Sequence, residues 1–387
     1  MYSLLLIIIY IAFISLGLPD SLIGSAWPVM QTDINVPVSY VGIVTIIISG
    51  GTIVSSLMSG KVTDRFGTGA VTAVSVCMTA AALLGFSISN SFAALCLWAV
   101  PYGLGAGGVD AALNNYVALH YKSRHMSWLH CSWGVGAAVS PYIMSFCLSG
   151  GLGWHNGFLS VSVVQFALTA ILFLSLPLWR GKAVELKTQS EETRAVSLGS
   201  IFKIKGVKPV LTAFFCYCAL ETTAGFWASS YLVQSRGVDT DTAAMFASLF
   251  YIGITAGRFI CGFISEKLGD KRLIRYGIAI ILCGAAMVLI PFKSGTTALC
   301  GLVIIGLGCA PVYPSVIHST PFSFGIENSQ AIIGVEMACA YIGNTFMPPL
   351  FGLIAENASI GYYPLFLLLS AAVMLAMTET ANNRLAR

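Results

Sequence analysis

Gly103–Tyr116, GLGAGGVDAALNNY, and Ser127–Pro141, SWLHCSWGVGAAVSP, are neighbouring apolar stretches that carry polar residues where a membrane helix tolerates them least. At helical spacing Gly103, Gly107, Asp110 and Asn114 fall on one stripe, and His130, Gly134, Ala137 and Pro141 repeat it. Each helix thus offers a surface of small residues with a polar group set into it. Small residues let helices approach closely, and an ionisable side chain at bilayer depth costs about 2.5–3.5 kcal/mol unless it faces protein or water. Asp110 and His130 are therefore expected to look inward. They serve there either as interhelical hydrogen-bond partners or as a site for hydroxyls or protons, and Asp, Asn and His together on two consecutive helices favour the site.

The rest of the chain has the composition this reading needs. Hydrophobic residues make up 57% and charged residues 9%, with a mean hydropathy of +0.83, which excludes an ordinary soluble domain. Apolar runs between polar punctuation predict an all-α membrane protein of twelve crossings. In the first half they lie at 3–30, 38–59, 69–88, 92–119, 126–149 and 157–178. The second half has them at 208–233, 241–264, 273–291, 296–319, 328–355 and 362–379. The first run lacks a basic leader and contains Asp20, so it reads as a retained helix rather than a cleaved signal. Eleven cysteines, scattered singly apart from Cys216 and Cys218, show no metal-ligand spacing and read as small core residues. Neither a metal nor a cofactor is expected.

With the amino terminus inside, all but three of the 20 Lys and Arg residues fall on cytoplasmic segments, the exceptions being Arg236, Lys293 and Arg258. That asymmetry places both termini in the cytoplasm. The linker 180–207, with Glu185, Glu191 and Glu192, reads as a partly helical or mobile connection between a bundle at 1–179 and one at 208–387.

Internal repetition supports two halves. The turn GKVTDRFG, with Gly60, Asp64, Arg65 and Gly67, recurs 202 positions later as Gly262, Glu266, Lys267 and Gly269. GLGC at 306 echoes GLGA at 103, Glu221 falls near the counterpart of Asp20, and Asn344 and Pro348 answer Ala137 and Pro141 at a shift of 207.

These motifs resemble the major facilitator superfamily across the whole chain. The pair of stretches quoted first resembles the fourth and fifth helices of its fucose-permease and sodium-dependent glucose transporter-like branch. The resemblance implies two pseudo-symmetric six-helix bundles, with a solute held between them near the midplane. It also implies a conformational gate formed by Gly60, Asp64, Arg65, Gly67, Glu266 and Lys267, although Thr68 stands where a basic residue often follows. Arg258, one turn from Gly262, is grouped with that gate.

The polar inventory suits a hydroxylated solute. Asn114, Asn115, His130, Gln165, Glu336 and Asn344 offer fixed donors and acceptors, and Trp27, Trp133 and Trp227 are candidate platforms for an apolar sugar face. Trp27 shares a stripe with Asp20 and Gly24, yet also fits an interfacial anchor. Asp20, Asp110 and Glu221 are candidates for binding a coupling ion, and Glu221 could instead pair with Arg258. Because Arg258 is the only Lys or Arg deep in a span, a phosphate or dicarboxylate is disfavoured. No GxxxxGK[ST], HExxH or GxSxG occurs, so neither an ATP-driven pump nor an enzyme is expected. The expected function is secondary transport of a small polyhydroxylated solute, a monosaccharide, coupled to H+ or Na+, by a monomer in the cytoplasmic membrane that binds no nucleic acid. Proton-coupled efflux of amphipathic drugs and a non-transporting solute sensor are the alternatives.

Overall fold

Lipid leaves no water to satisfy backbone N–H and C=O groups, so a crossing segment must close its hydrogen bonds internally. The computed structural model describes residues 2–179, 198–290 and 295–386, and has helices and turns but no strand among them. The first-half helices are α1 (Tyr2–Asp20), α2 (Leu22–Asp33), α3 (Val41–Phe66), α4 (Thr68–Ser87), α5 (Phe92–His120), α6 (Ser123–Ser149) and α7 (Gly153–Leu174). After the short α8 (Leu198–Ile201) come α9 (Val207–Arg236), α10 (Thr240–Leu268), α11 (Asp270–Leu289), α12 (Thr296–Cys309), α13 (Val312–Phe324), α14 (Ile326–Ile354) and α15 (Tyr363–Leu385). Most of the expected linker, including Glu185, Glu191 and Glu192, lies outside the described residues.

Among the described residues, 11 helical runs are long and apolar enough to cross a bilayer. The last of them, Ile326–Leu385, has 60 residues. At 1.5 Å per residue it would reach about 90 Å, three times the ~30 Å hydrocarbon core. It is two crossings, α14 and α15, joined through a π turn at Ala355–Ser359 and a 3-10 turn at Ile360–Tyr362. All twelve expected crossings are thus present. Leu97, Phe146 and Leu369 are among the large apolar side chains left exposed, as a lipid-facing surface requires.

Two crossings are broken, the first at Ser21 and the tenth at Ala310–Pro311. In α1 the cause is Pro19, which has no N–H to offer the Ser15 carbonyl four residues back. The Gln165 amide of α7 supplies the missing donor at 2.7 Å, while its own oxygen accepts from the Thr79 hydroxyl of α4 at 2.8 Å. At the second break the Tyr217 hydroxyl of α9 donates to the Cys309 carbonyl at 2.9 Å.

The closest helix crossings are made at glycines, and both halves use equivalent positions. A Cβ on Gly103 would overlap the Ile48 carbonyl oxygen of α3, and one on Gly306 that of Phe250 in α10. A Cβ on Gly136 of α6 would overlap the Ile14 carbonyl oxygen of α1, and one on Gly343 of α14 would press on that of Phe215 in α9. Gly136, two residues from the Gly134 of the sequence stripe, is therefore the α6 glycine that meets α1. The turn glycines match as well: Gly67 has φ 80° and ψ 152°, Gly269 φ 76° and ψ 155°, a conformation open essentially to glycine alone. The repeat seen in the sequence is a repeat in packing.

By compactness the chain forms two units, Met1–Tyr116 with Leu129–Val196, and Val117–Trp128 with Ser197–Arg387. The junction of α5 and α6 belongs to the second unit because its polar groups are bound there. Ser123 Oγ donates to Asp270 at 2.6 Å, Lys122 and Arg124 meet Glu266 at 3.2 and 3.0 Å, and Trp128 Nε1 donates to the Phe259 carbonyl at 3.3 Å. Gly262 leaves room for that indole, since a Cβ there would overlap it.

Candidate functional site

In the first unit, Asp20 is the last residue of α1, at the break, and is exposed. The Tyr102 hydroxyl of α5 donates to Oδ1 at 3.2 Å, and Trp133 Nε1 of α6 donates to Oδ2 at 2.9 Å. Both oxygens of an acid are held by neutral donors, and no Lys, Arg or His pairs with it among the described residues. The indole that serves Asp20 is thus Trp133. Trp27, on the same sequence stripe as Asp20, is buried and donates to the Val38 carbonyl at 2.8 Å.

Further along α5 runs a second polar chain. Asn114 Nδ2 donates to Asp110 Oδ1 at 2.8 Å, and Asn114 Oδ1 lies 3.0 Å from His130 Nε2 of α6. An amide oxygen only accepts, so the proton of that last bond is on Nε2. Phe13 of α1 stands edge-on to the imidazole at 5.5 Å between centroids. Asp110 and His130 are buried, as their expected inward placement requires, and Asn114 and Asn115 are buried with them. Gln165 is buried too, and both ends of its amide are engaged at the α1 break.

In the second unit, Glu221 of α9 faces Arg258 of α10 at 3.5 Å, with side-chain exposures of 19% and 5%. Of the two partners offered to these residues by the sequence, the structure takes each other: Arg258 stands with Glu221, not with Glu266. Thr222 donates to Asn344 Oδ1 at 2.6 Å, and Trp227 Nε1 donates to the Pro348 carbonyl at 2.9 Å. Glu336 of α14 is wholly buried; Thr320 of α13 donates to its Oε1 at 2.8 Å, and Oε2 has no hydrogen-bond partner among the described residues. Tyr313 packs against Phe214 and Tyr217, at 4.8 and 6.1 Å between ring centroids.

The gate motif is only partly what its spacing suggested. Gly60 is buried, and Asp64, Arg65 and Lys267 are exposed, with the Arg65 guanidinium 5.3 Å from the Phe66 ring centre. Glu266 is held by Lys122 and Arg124, which the sequence reading counted only as topogenic charges. These pairs are solvent-exposed and each contributes at most about 1 kcal/mol. Tyr102, Thr79, Thr222 and Thr320 were missed altogether. No local pattern marks them, because each meets a partner on another helix.

Twelve apolar crossings with repeated glycine contacts, the first of them broken beside Asp20, define a multi-pass membrane protein. The chain belongs to the Major Facilitator Superfamily, whose model matches residues 9–335. Its fold is similar to that of the fucose:proton symporter of E. coli, with a TM-score of 0.76, 16% identity and 99% of each chain covered. It is also similar to the proton:xylose symporter solved with 6-bromo-6-deoxy-D-glucose, with a TM-score of 0.80 and 13% identity over 97% of this chain and 94% of that one. By sequence it is 22% identical over 380 residues to the 4-hydroxybenzoate transporter of Acinetobacter baylyi, covering 85% of this chain and 82% of that protein.

Proposed function

We propose that this secondary transporter carries a small polyhydroxylated solute, a monosaccharide, across the cytoplasmic membrane by alternating access of halves 1–179 and 208–387, joined by the linker 180–207. Both termini lie in the cytoplasm, and H+ or Na+ drives accumulation. The observation that carries the reading is Asp20: an exposed acid at a helix break, gripped by Tyr102 and Trp133 and without a cation, is chemically ready to take one. Further along α5 and α6, Asp110, Asn114 and His130 provide the donors and acceptors that a sugar hydroxyl needs. The named substrates of the similar proteins include both sugars and 4-hydroxybenzoate. A carboxylate substrate would call for a free cation, and Arg258 is already balanced by Glu221, which favours the neutral solute.

The test is uptake of a labelled panel of monosaccharides and aromatic acids into proteoliposomes, with proton and sodium gradients imposed separately. Gradient-driven accumulation of a sugar is expected, together with its loss in Asp20→Asn or Asp110→Asn while exchange of solute survives. Accumulation undiminished in both variants removes the coupling role, and uptake of the aromatic acid alone removes the sugar.

A further inference from the structure

At the Lys- and Arg-rich end of the second unit, His318 of α13 is placed between two groups that can only accept. Its Nδ1 lies 2.6 Å from Asp270 Oδ2 and its Nε2 lies 3.2 Å from the Tyr121 backbone carbonyl. A neutral imidazole carries one N–H and can serve only one of these acceptors; the imidazolium serves both. Asp270, the first residue of α11, also accepts from Ser123, so a single carboxylate collects donors from α13 and from the α5–α6 junction.

We infer that His318 is a proton-binding site, separate from the candidate solute site, whose occupation fastens the α5–α6 junction to α11 and α13. From α11 the facing group is Asp270, while Lys122 and Arg124 of the junction are engaged with Glu266. On α14, Glu336 is bonded to Thr320, two residues along from His318; on α9, Glu221 is paired with Arg258 of α10. The ionisable groups of α12 are the thiols Cys300 and Cys309, and the Phe322 ring stands 5.4 Å from the imidazole. Exposures of 9% and 14% for the His318 and Asp270 side chains put the pair largely out of water, where a charge-assisted bond is strong. Histidine is the side chain that changes charge near physiological pH. The sign follows: with the proton bound both contacts exist, and as pH rises and the proton leaves, one of them must be lost. The inference does not depend on what the protein transports.

The test uses the full chain in nanodiscs with 15N-labelled histidine, the His318 signals being assigned by difference against His318→Gln. Both ring nitrogens are expected to carry protons wherever the 121–128 amides are protected; protection alongside a single neutral tautomer overturns the assignment. Hydrogen exchange of the 121–128 amides, corrected for intrinsic rates, reads the clasp. Loss of one charge-assisted bond should cut protection roughly 10- to 100-fold as pH is raised. His318→Arg should keep protection at every pH, and His318→Gln should lack it at every pH. Equal protection in wild type and both variants overturns the clasp. Should His318→Gln not fold, Asp270→Asn replaces it: the second ring proton is expected to be absent at the pH where wild type holds it, and its retention counts against the pair.

Discussion

At the scale of single residues, the buried polar groups divide into those that finish a helix and those that join one polar side chain to another. Gln165 belongs to the first kind, because the Ser15 carbonyl that it caps is one that Pro19 cannot serve. Gln165→Leu should strand that carbonyl, a buried orphan costing ~1–3 kcal/mol, while the Thr79 hydroxyl keeps the Val76 carbonyl as its acceptor. Thermal unfolding in detergent should show the loss, with solute affinity unchanged in the protein that folds; the reverse pattern would return Gln165 to the solute site. Asn114 and His130 belong to the second kind. If they bind the solute, His130→Ala and Asn114→Ala should each weaken it about 5- to 150-fold, the equivalent of ~1–3 kcal/mol, in calorimetry on monodisperse protein. The sequence made this set visible by polarity and spacing alone: an acid, an amide and an imidazole had no apolar explanation. It could not say that Trp133 and not Trp27 would reach Asp20, since that choice is made by the angle at which α6 crosses α1.

At the scale of elements, glycine acts in two different ways that mutation can separate. At Gly136 the limit is space, because a Cβ would overlap the α1 backbone at Ile14. Backbone overlap has no soft side chain to absorb it, so Gly136→Ala should force α1 and α6 apart and give poor yield of folded protein. At Gly67 there is open space around a Cβ, and the limit is the dihedral pair, with φ 80°. Gly67→Ala should therefore cost only ~1–3 kcal/mol of backbone strain. Gly24 is the control: it sits in α2 with nothing within 4 Å of a Cβ, so Gly24→Ala should be neutral or stabilise by about 0.5–1 kcal/mol. Unfolding temperatures that do not rank Gly24→Ala above Gly67→Ala above Gly136→Ala would mean that these contacts are not what holds the helices. The helices themselves were legible, for apolar runs of that length have few other uses. Their breaks were less so: Pro19 was visible, but the rescue by Gln165 depends on a helix nearly 150 positions away.

At the scale of the molecule, the two halves share a frame and differ in how they treat the same acid. Asp20 and Glu221 stand at equivalent places near the glycine crossings of α1 with α6 and of α9 with α14. Asp20 has neutral donors and no counter-ion, whereas Glu221 has Arg258, almost fully buried, at 3.5 Å. Sequence repetition exposed the equivalence, yet not the difference, because Arg258 sits outside the repeated motif and its reach to Glu221 depends on the packing of α9 on α10. The difference assigns opposite consequences to the same change of acid to amide. Removing one member of a buried pair leaves an uncompensated charge at ~3–5 kcal/mol, while replacing both members by apolar residues of similar size is often close to neutral. Glu221→Gln should thus destabilise the second half strongly, and Glu221→Gln combined with Arg258→Met should recover most of the loss. Asp20→Asn should leave stability nearly unchanged, since Tyr102 and Trp133 can still donate to the amide oxygen, and should instead abolish gradient-driven accumulation. Unfolding midpoints of the three variants beside uptake in proteoliposomes separate these outcomes. A loss of stability in Asp20→Asn as large as that in Glu221→Gln, or no recovery in the double variant, would mean that the two acids are equivalent in role as well as in place.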